Sequence, residues 1–66
     1  SFTYFKEEVV GWIKENIPTS KRILDVGPGV GTYSDLLRPL GYRMDAVEIF
    51  EPYIDKYNLR EKYDNV

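Results

Sequence analysis

Three glycines that alternate with other residues form the stretch of this sequence best suited to hold a ligand. They lie at positions 27, 29 and 31 in the segment DVGPGVG, which spans residues 25–31. Gly27 is expected to supply a backbone conformation that is closed to residues with a Cβ atom. Gly29 is expected to let a ligand lie against bare main chain, and Gly31 to let the next helix start close against the preceding strand. The start of that helix offers free N–H groups and the positive end of the helix dipole.

Two carboxylates accompany this loop. Asp25 lies two positions before the first glycine, and Glu48 closes the second predicted strand. The carboxyl ends of neighbouring parallel strands open onto the same crevice, where a carboxylate accepts hydrogen bonds from both hydroxyls of a ribose. The pattern therefore predicts a nucleoside-binding βαβ unit. Two plainer interpretations stay open: a turn beside a solvated Glu48, and an Asp25 that holds the turn through backbone N–H groups.

The surrounding pattern predicts alternating helices and strands. Residues 1–17 form an amphipathic N-terminal helix, which Pro18 ends near Asn16. Residues 21–66 form the ligand-binding segment, with strands at 21–27 and 42–49, helices at 32–38 and 53–62, and the approach to a third strand at 63–66. This is an α/β fold, a partial Rossmann-like βαβ unit with parallel strands. The apolar stripe of the first helix is expected to pack in the core, and consists of Phe2, Phe5, Val9, Trp12, Ile13 and Ile17.

The first strand carries the short apolar run Ile23, Leu24 and Val26, interrupted by one aspartate. A run without clean alternation is typical of a strand in a parallel sheet that is covered on both sides. We therefore expect this strand to be buried on both faces.

The composition excludes several classes of function. The 66 residues contain no cysteine and no histidine, which excludes disulfides and removes the commonest general base and metal ligand. Nine basic and eleven acidic residues are mixed along the chain, so this segment carries no nucleic-acid signal. No apolar run approaches the ~20 residues that span a bilayer. We expect no membrane association and a cytoplasmic location, with no metal site.

The glycine spacing distinguishes two families of nucleoside-binding proteins. Dinucleotide enzymes use G-x-G-x-x-G, which places the third glycine where this chain has Thr32. A G-x-G-x-G pattern with an acidic residue two positions earlier instead resembles motif I of the class I, Rossmann-type, S-adenosylmethionine-dependent methyltransferases. The resemblance extends from about Arg22 to Val66. The string VEIFEPYI at 47–54 also looks like one bacterial, archaeal and phage branch of uncharacterised methyltransferase domains.

This resemblance implies a ligand and a role for each matching residue. The ligand is S-adenosyl-L-methionine, or S-adenosylhomocysteine after methyl transfer. The loop glycines would border its methionine part and ribose. Asp25 would position the methionine ammonium, directly or through water, and Glu48 would hold the 2′ and 3′ hydroxyls of the ribose. Ile49 would cover one face of the adenine, with plain core packing as its alternative.

The resemblance also indicates what this chain lacks. The family's domain has further strands, with an acidic residue after strand three and a substrate-orienting motif after strand four. We therefore expect an N-terminal segment of a methyltransferase that does not catalyse alone, and no catalytic residue is assigned. Alternatives are a fragment of an NAD(P)-binding Rossmann protein and a non-catalytic, self-associating βαβ module. Since the exposed edges of a two-stranded piece favour pairing, we expect a homodimer through the first strand.

Overall fold

A computed structural model describes residues 2–66, with side chains from Lys6 onward. The elements are α1 (Phe2–Asn16), β1 (Arg22–Val26), α2 (Thr32–Leu37), a 3-10 helix (Arg38–Leu40), β2 (Arg43–Val47), α3 (Pro52–Lys56) and α4 (Leu59–Lys62). This order confirms the predicted α/β alternation, and α1 ends at the residue expected from the position of Pro18. None of the described helices has the length and apolar character needed to cross a membrane.

The two strands form a parallel sheet in register, from Arg22 opposite Arg43 to Val26 opposite Val47. A parallel bridge joins Asp45 of β2 to Asn65 on the edge of β2 away from β1. There the Ala46 N–H donates to the Asn65 carbonyl at 2.9 Å, and the Asp64 N–H donates to the Met44 carbonyl at 2.7 Å. The segment predicted as the approach to a third strand thus occupies a third position in the sheet.

The core lies on one face of this sheet. Its buried apolar residues lie in α2, β2 and α4, just before β2 and just after α4, and they are Leu37, Tyr42, Met44, Ala46, Leu59 and Tyr63. Helix α1 joins this core through Val10, Ile13 and Ile17. The hydroxyl of Tyr42 donates to the Ile17 carbonyl at 2.6 Å and to the Ile13 carbonyl at 3.2 Å. The last turn of α1 is therefore attached to the residue that precedes β2.

The predicted apolar stripe of α1 is buried only in part. Ile13 and Ile17 pack against the core, whereas Val9 is 42% and Trp12 59% exposed. The side chains of Phe2 and Phe5, which the stripe also included, lie outside the described residues. Ile13 is partly buried because it packs against the core, and Trp12 lies one residue around the helix from that contact.

The expectation that β1 is buried on both faces is wrong. Leu24 is 60% and Val26 69% exposed, and Val47 beside them on β2 is 47% exposed. Alternate residues of a strand point to opposite faces, so these three side chains share one face, which we call the open face. All the core residues lie on the other face, the helix face. The strand residues that pack in the core are Ile23, Met44 and Ala46, and all three point to the helix face. Within residues 2–66 the helices therefore cover the helix face and leave the open face uncovered.

The helix predicted over residues 53–62 is divided in two. Asn58 adopts a left-handed conformation, with φ of 53°, between α3 and α4. Asparagine tolerates this conformation better than most residues with a Cβ atom. The break redirects the chain, so that Leu59 and Tyr63 reach the core with exposures of 0% and 2%.

Candidate functional site

The loop between β1 and α2 depends on glycine at all three predicted positions. Gly27, Gly29 and Gly31 have φ angles of 67°, 57° and 85°, in the left-handed region that favours glycine. The Gly27 N–H donates to the Val47 carbonyl at 2.9 Å, and the Gly31 N–H donates to the Pro28 carbonyl at 3.0 Å. The first of these bonds attaches the start of the loop to the end of β2. The loop is thus held by main-chain bonds and by the side chain of Lys62, whose Nζ donates to the Val30 carbonyl at 2.9 Å.

One side of this loop faces open space. A Cβ atom built on Gly27 or Gly29 would meet no other atom within 4 Å. The bare main chain that the sequence predicted at Gly29 is therefore accessible, and Gly27 shares this property. A ligand is able to approach the peptide groups of both residues.

Gly31 has a different environment. A Cβ atom there would lie 2.9 Å from Cδ of Lys62 and 3.5 Å from Cε2 of Tyr63. The expectation that Gly31 allows close packing of helix on strand needs correction, because the element that approaches it is α4 together with Tyr63. The Ser34 hydroxyl of α2 also donates to the Lys62 carbonyl, which holds the C-terminal segment against the start of α2.

Asp25 is half-buried on the helix face, two residues before the first glycine of the loop. Its Oδ2 accepts a hydrogen bond of 2.5 Å from the hydroxyl of Tyr63. Burial, and then the hydrogen bond to Asp25, raise the pKa of Tyr63 far above its usual range, so this phenol stays protonated as a donor. Among the described residues no backbone N–H donates to Asp25, which leaves the turn-holding interpretation without support.

Tyr63 contacts a predicted site residue, and the sequence did not reveal this contact. The sequence pattern placed it at the start of the segment predicted as the approach to a third strand, with no role in the site. Nothing local connects it with Asp25, because the two are separated by 38 positions. The pairing arises only when α4 folds back on the helix face.

Glu48 follows β2 directly, at the edge of the sheet where the glycine loop begins. Its Oε2 accepts a hydrogen bond of 3.0 Å from the Phe50 N–H, and its Oε1 has no partner among the described residues. Ile49 is 91% exposed, so its alternative interpretation as a core residue is wrong. Phe50 is 54% exposed and contacts Tyr53 edge-on, with 4.6 Å between ring centroids. This turn therefore presents a carboxylate beside exposed apolar side chains.

The predicted site residues thus occupy two adjoining places. The open side of the loop, Glu48 and Ile49 lie at the carboxyl edge of the sheet, whereas Asp25 points into the helix face below that edge. A mostly apolar cavity of about 250 Å³ lies beside Asp25, between α1, α2 and β1. This cavity reaches neither the glycine loop nor Glu48. The candidate site is therefore the carboxyl edge of the sheet, and Asp25 lies between this edge and the cavity.

The arrangement provides hydrogen-bond acceptors and bare peptide groups. Within the described residues no three histidine, cysteine, aspartate or glutamate side chains are grouped to hold a metal ion. The chemistry available at the edge is therefore the binding of a polar ligand that carries hydroxyl or ammonium donors.

Comparison with known proteins gives no independent identification. No protein-family model matches this chain, and no curated protein or solved structure matches it. The interpretation of the site depends on its own geometry.

Proposed function

We propose that this chain binds S-adenosylmethionine, or S-adenosylhomocysteine, as the cofactor-binding part of a class I methyltransferase with a Rossmann-like arrangement. One observation carries this proposal. An open loop with three left-handed glycines lies next to the carboxylate of Glu48, and the Gly27–Val47 hydrogen bond joins the two at the ends of parallel strands. Ligands of open α/β sheets bind outside the carboxyl ends of the strands.

Glu48 has the chemistry to hold the ribose. The bond from the Phe50 N–H restrains one oxygen of its carboxylate, and the other is available to a ligand. A carboxylate accepts hydrogen bonds from two neighbouring hydroxyls, which are the 2′ and 3′ groups of a ribose. Ile49 then covers one face of the adenine, since its side chain is almost fully exposed beside Glu48.

Asp25 and the loop hold the methionine part in this proposal. The hydroxyl of Tyr63 occupies Oδ2 of Asp25, so Oδ1 is the atom that remains for the ligand ammonium, directly or through water. The open side of Gly27 and Gly29 gives the ligand room to lie against main chain.

The glycine spacing favours this cofactor over a dinucleotide. The chain has Thr32 where the dinucleotide pattern has its third glycine. The carboxylate of Asp35 in the first turn of α2 does not add to this preference, because Lys62 Nζ lies 3.3 Å from its Oδ2 and offsets its charge.

The proposal concerns binding by these 66 residues and assigns them no methyl transfer. Transfer requires an acceptor aligned with the sulfonium, and we assign no residue of this chain to that alignment. A cytoplasmic location is part of the same proposal.

The direct test is thermal denaturation with S-adenosylhomocysteine, with NAD and without ligand. At about ten times its Kd, S-adenosylhomocysteine adds about 1.4 kcal/mol to the stability, a Tm rise of roughly 5–10 °C for a domain of this size. We expect this rise with S-adenosylhomocysteine and no rise with NAD. A rise with NAD alone would contradict the proposal, as would the absence of any shift at millimolar ligand.

A further inference from the structure

One edge of β1 presents unpaired backbone groups. Alternate residues of a strand direct their N–H and C=O groups to the same side, and the Gly27 N–H points to β2. Arg22, Leu24 and Val26 therefore direct theirs to the opposite edge. Within residues 2–66 β1 has no strand on that edge.

This edge lacks two of the common protections against pairing. Protein sheets protect an edge strand with prolines, bulges or charged side chains. The sequence of β1 is RILDV, which contains no proline, and its register with β2 has no bulge. Its charges are those of Arg22 and Asp25, so the edge accepts a strand that brings a cation opposite Asp25.

We infer that the β1 edge pairs with β1 of a second copy of this chain, antiparallel, about a two-fold axis perpendicular to the sheet. The axis passes beside Ile23, so that Ile23 lies opposite Ile23 of the second copy. Arg22 and Leu24 then form hydrogen-bonded pairs across the edge. The product is a continuous sheet of four strands, two from each copy.

Charge complementarity selects this register. Opposite residues of antiparallel strands point to the same face, so this register places Lys21 opposite Asp25 of the second copy, once on each side of the axis. The register centred on Leu24 instead places Ile23 opposite Asp25, an apolar side chain against a carboxylate. The Ile23-centred pairing is therefore favoured, because two ion pairs flank its apolar centre.

Exposed apolar surface on the helix face also favours a second copy of the chain at the β1 edge. A two-fold axis perpendicular to the sheet keeps the helices of both copies on one side. The cavity of about 250 Å³ lies beside β1 and is lined by Val9, Ile23 and Leu24, among others. Val9 is 42% exposed on α1. A second copy at this edge covers apolar surface that the single chain leaves in contact with water.

The register is tested by disulfide formation, because the chain contains no cysteine of its own. Ile23→Cys places two thiols opposite each other in a non-hydrogen-bonded pair, where cross-strand Cβ atoms are about 4.5–5.5 Å apart. Leu24→Cys is the matched control at the neighbouring position. On mild oxidation without ligand, we expect a covalent dimer at least about tenfold faster for Ile23→Cys. A faster dimer for Leu24→Cys would overturn the register.

The dimer itself is tested by light scattering after gel filtration. We expect a dimer at micromolar concentration and about a tenfold higher dimer Kd for Lys21→Glu, which turns two attractive pairs into repulsive ones. Lys14→Glu makes the same charge change on an exposed part of α1 and should leave the dimer unchanged. A folded wild-type monomer at about 100 μM, above the Kd of typical specific dimers, would overturn the inference. So would equal effects of the two variants. The dimer is measured without ligand, because Lys21 of the second copy and the ammonium of the proposed cofactor would compete for the carboxylate of Asp25.

Discussion

The two connections at the carboxyl edge of the sheet are built in opposite ways. The connection after β1 has three glycines with positive φ, and main-chain hydrogen bonds help to hold its shape. The connection after β2 contains no residue with positive φ and presents Glu48, Ile49 and Phe50 as side chains. One connection offers bare peptide groups and the other offers a carboxylate beside apolar surface. A ligand that touches both must carry polar groups at two separate points, as a nucleoside with a polar substituent does.

Within the first connection the glycines themselves differ, and Gly31→Val should show the difference most strongly. Its φ of 85° disfavours any Cβ by about 1–2 kcal/mol, and contact with Lys62 and Tyr63 adds about 1–3 kcal/mol of overpacking. We expect a total loss of about 2–5 kcal/mol in the free energy of unfolding, measured by urea denaturation. Gly11→Val is the control, since a Cβ there meets nothing within 4 Å and valine is no worse than glycine in a helix. Equal losses in both variants would show that Gly31 has no special packing role.

Removal of the carboxylate from the second connection should affect binding more than stability. Glu48→Ala deletes a charged acceptor for the ribose hydroxyls, worth about 1.5–3 kcal/mol, or roughly a 10- to 150-fold higher Kd for S-adenosylhomocysteine. The measurement is isothermal titration calorimetry. Glu51→Ala removes an exposed carboxylate three positions later and should leave the Kd unchanged. If Glu48→Ala binds as tightly as wild type, Glu48 does not belong to the site.

The hydrogen bond between Tyr63 and Asp25 should make the free energy of unfolding depend on pH. The pKa of Tyr63 is higher in the folded than in the unfolded chain, so its contribution is complete below about pH 10, the unfolded value, and is lost as pH rises beyond it. We expect Tyr63→Phe to lose about 1–2 kcal/mol at pH 8 by losing the bond to Asp25. Denaturation at rising pH should then bring wild type and variant together above pH 10. Tyr53→Phe, which makes no such bond, is the control, and a constant difference at all pH values would contradict this assignment.

The smallest effect on stability is expected at Gly29. Valine there would strain the backbone, because φ is 57°, so the informative substitution is Gly29→Asn. Asparagine tolerates this region and its Cβ meets open space, so the free energy of unfolding should change by less than about 1 kcal/mol. Its side chain occupies the space proposed for the ligand, and the affinity for S-adenosylhomocysteine should fall. An unchanged affinity would show that no ligand approaches Gly29.

Local signals predicted the framework of this molecule. Pro18 indicated the end of α1, and the DVGPGVG segment indicated a glycine loop between a strand and a helix, with a left-handed conformation expected at Gly27 and found also at Gly29 and Gly31. The break at Asn58 was missed, since apolar spacing over 53–62 fits one helix as well as two. The exposure of Leu24 and Val26 was missed, because an apolar run is compatible with burial of both faces of a strand. Which face the helices cover depends on how the whole chain packs.

The contact between Tyr63 and Asp25 has a consequence for the order in which the chain acquires its structure. The two residues are 38 positions apart, and Tyr63 also packs against the start of α2 through Gly31. Contacts of this range close only after a large loop has formed, which slows folding. During synthesis the glycine loop and β1 leave the ribosome well before Tyr63 does, so Asp25 stays solvated until then. Pausing of translation before residue 63 would therefore leave the helix face of the sheet, which Leu59 and Tyr63 cover in the folded chain, open to contact with other nascent chains.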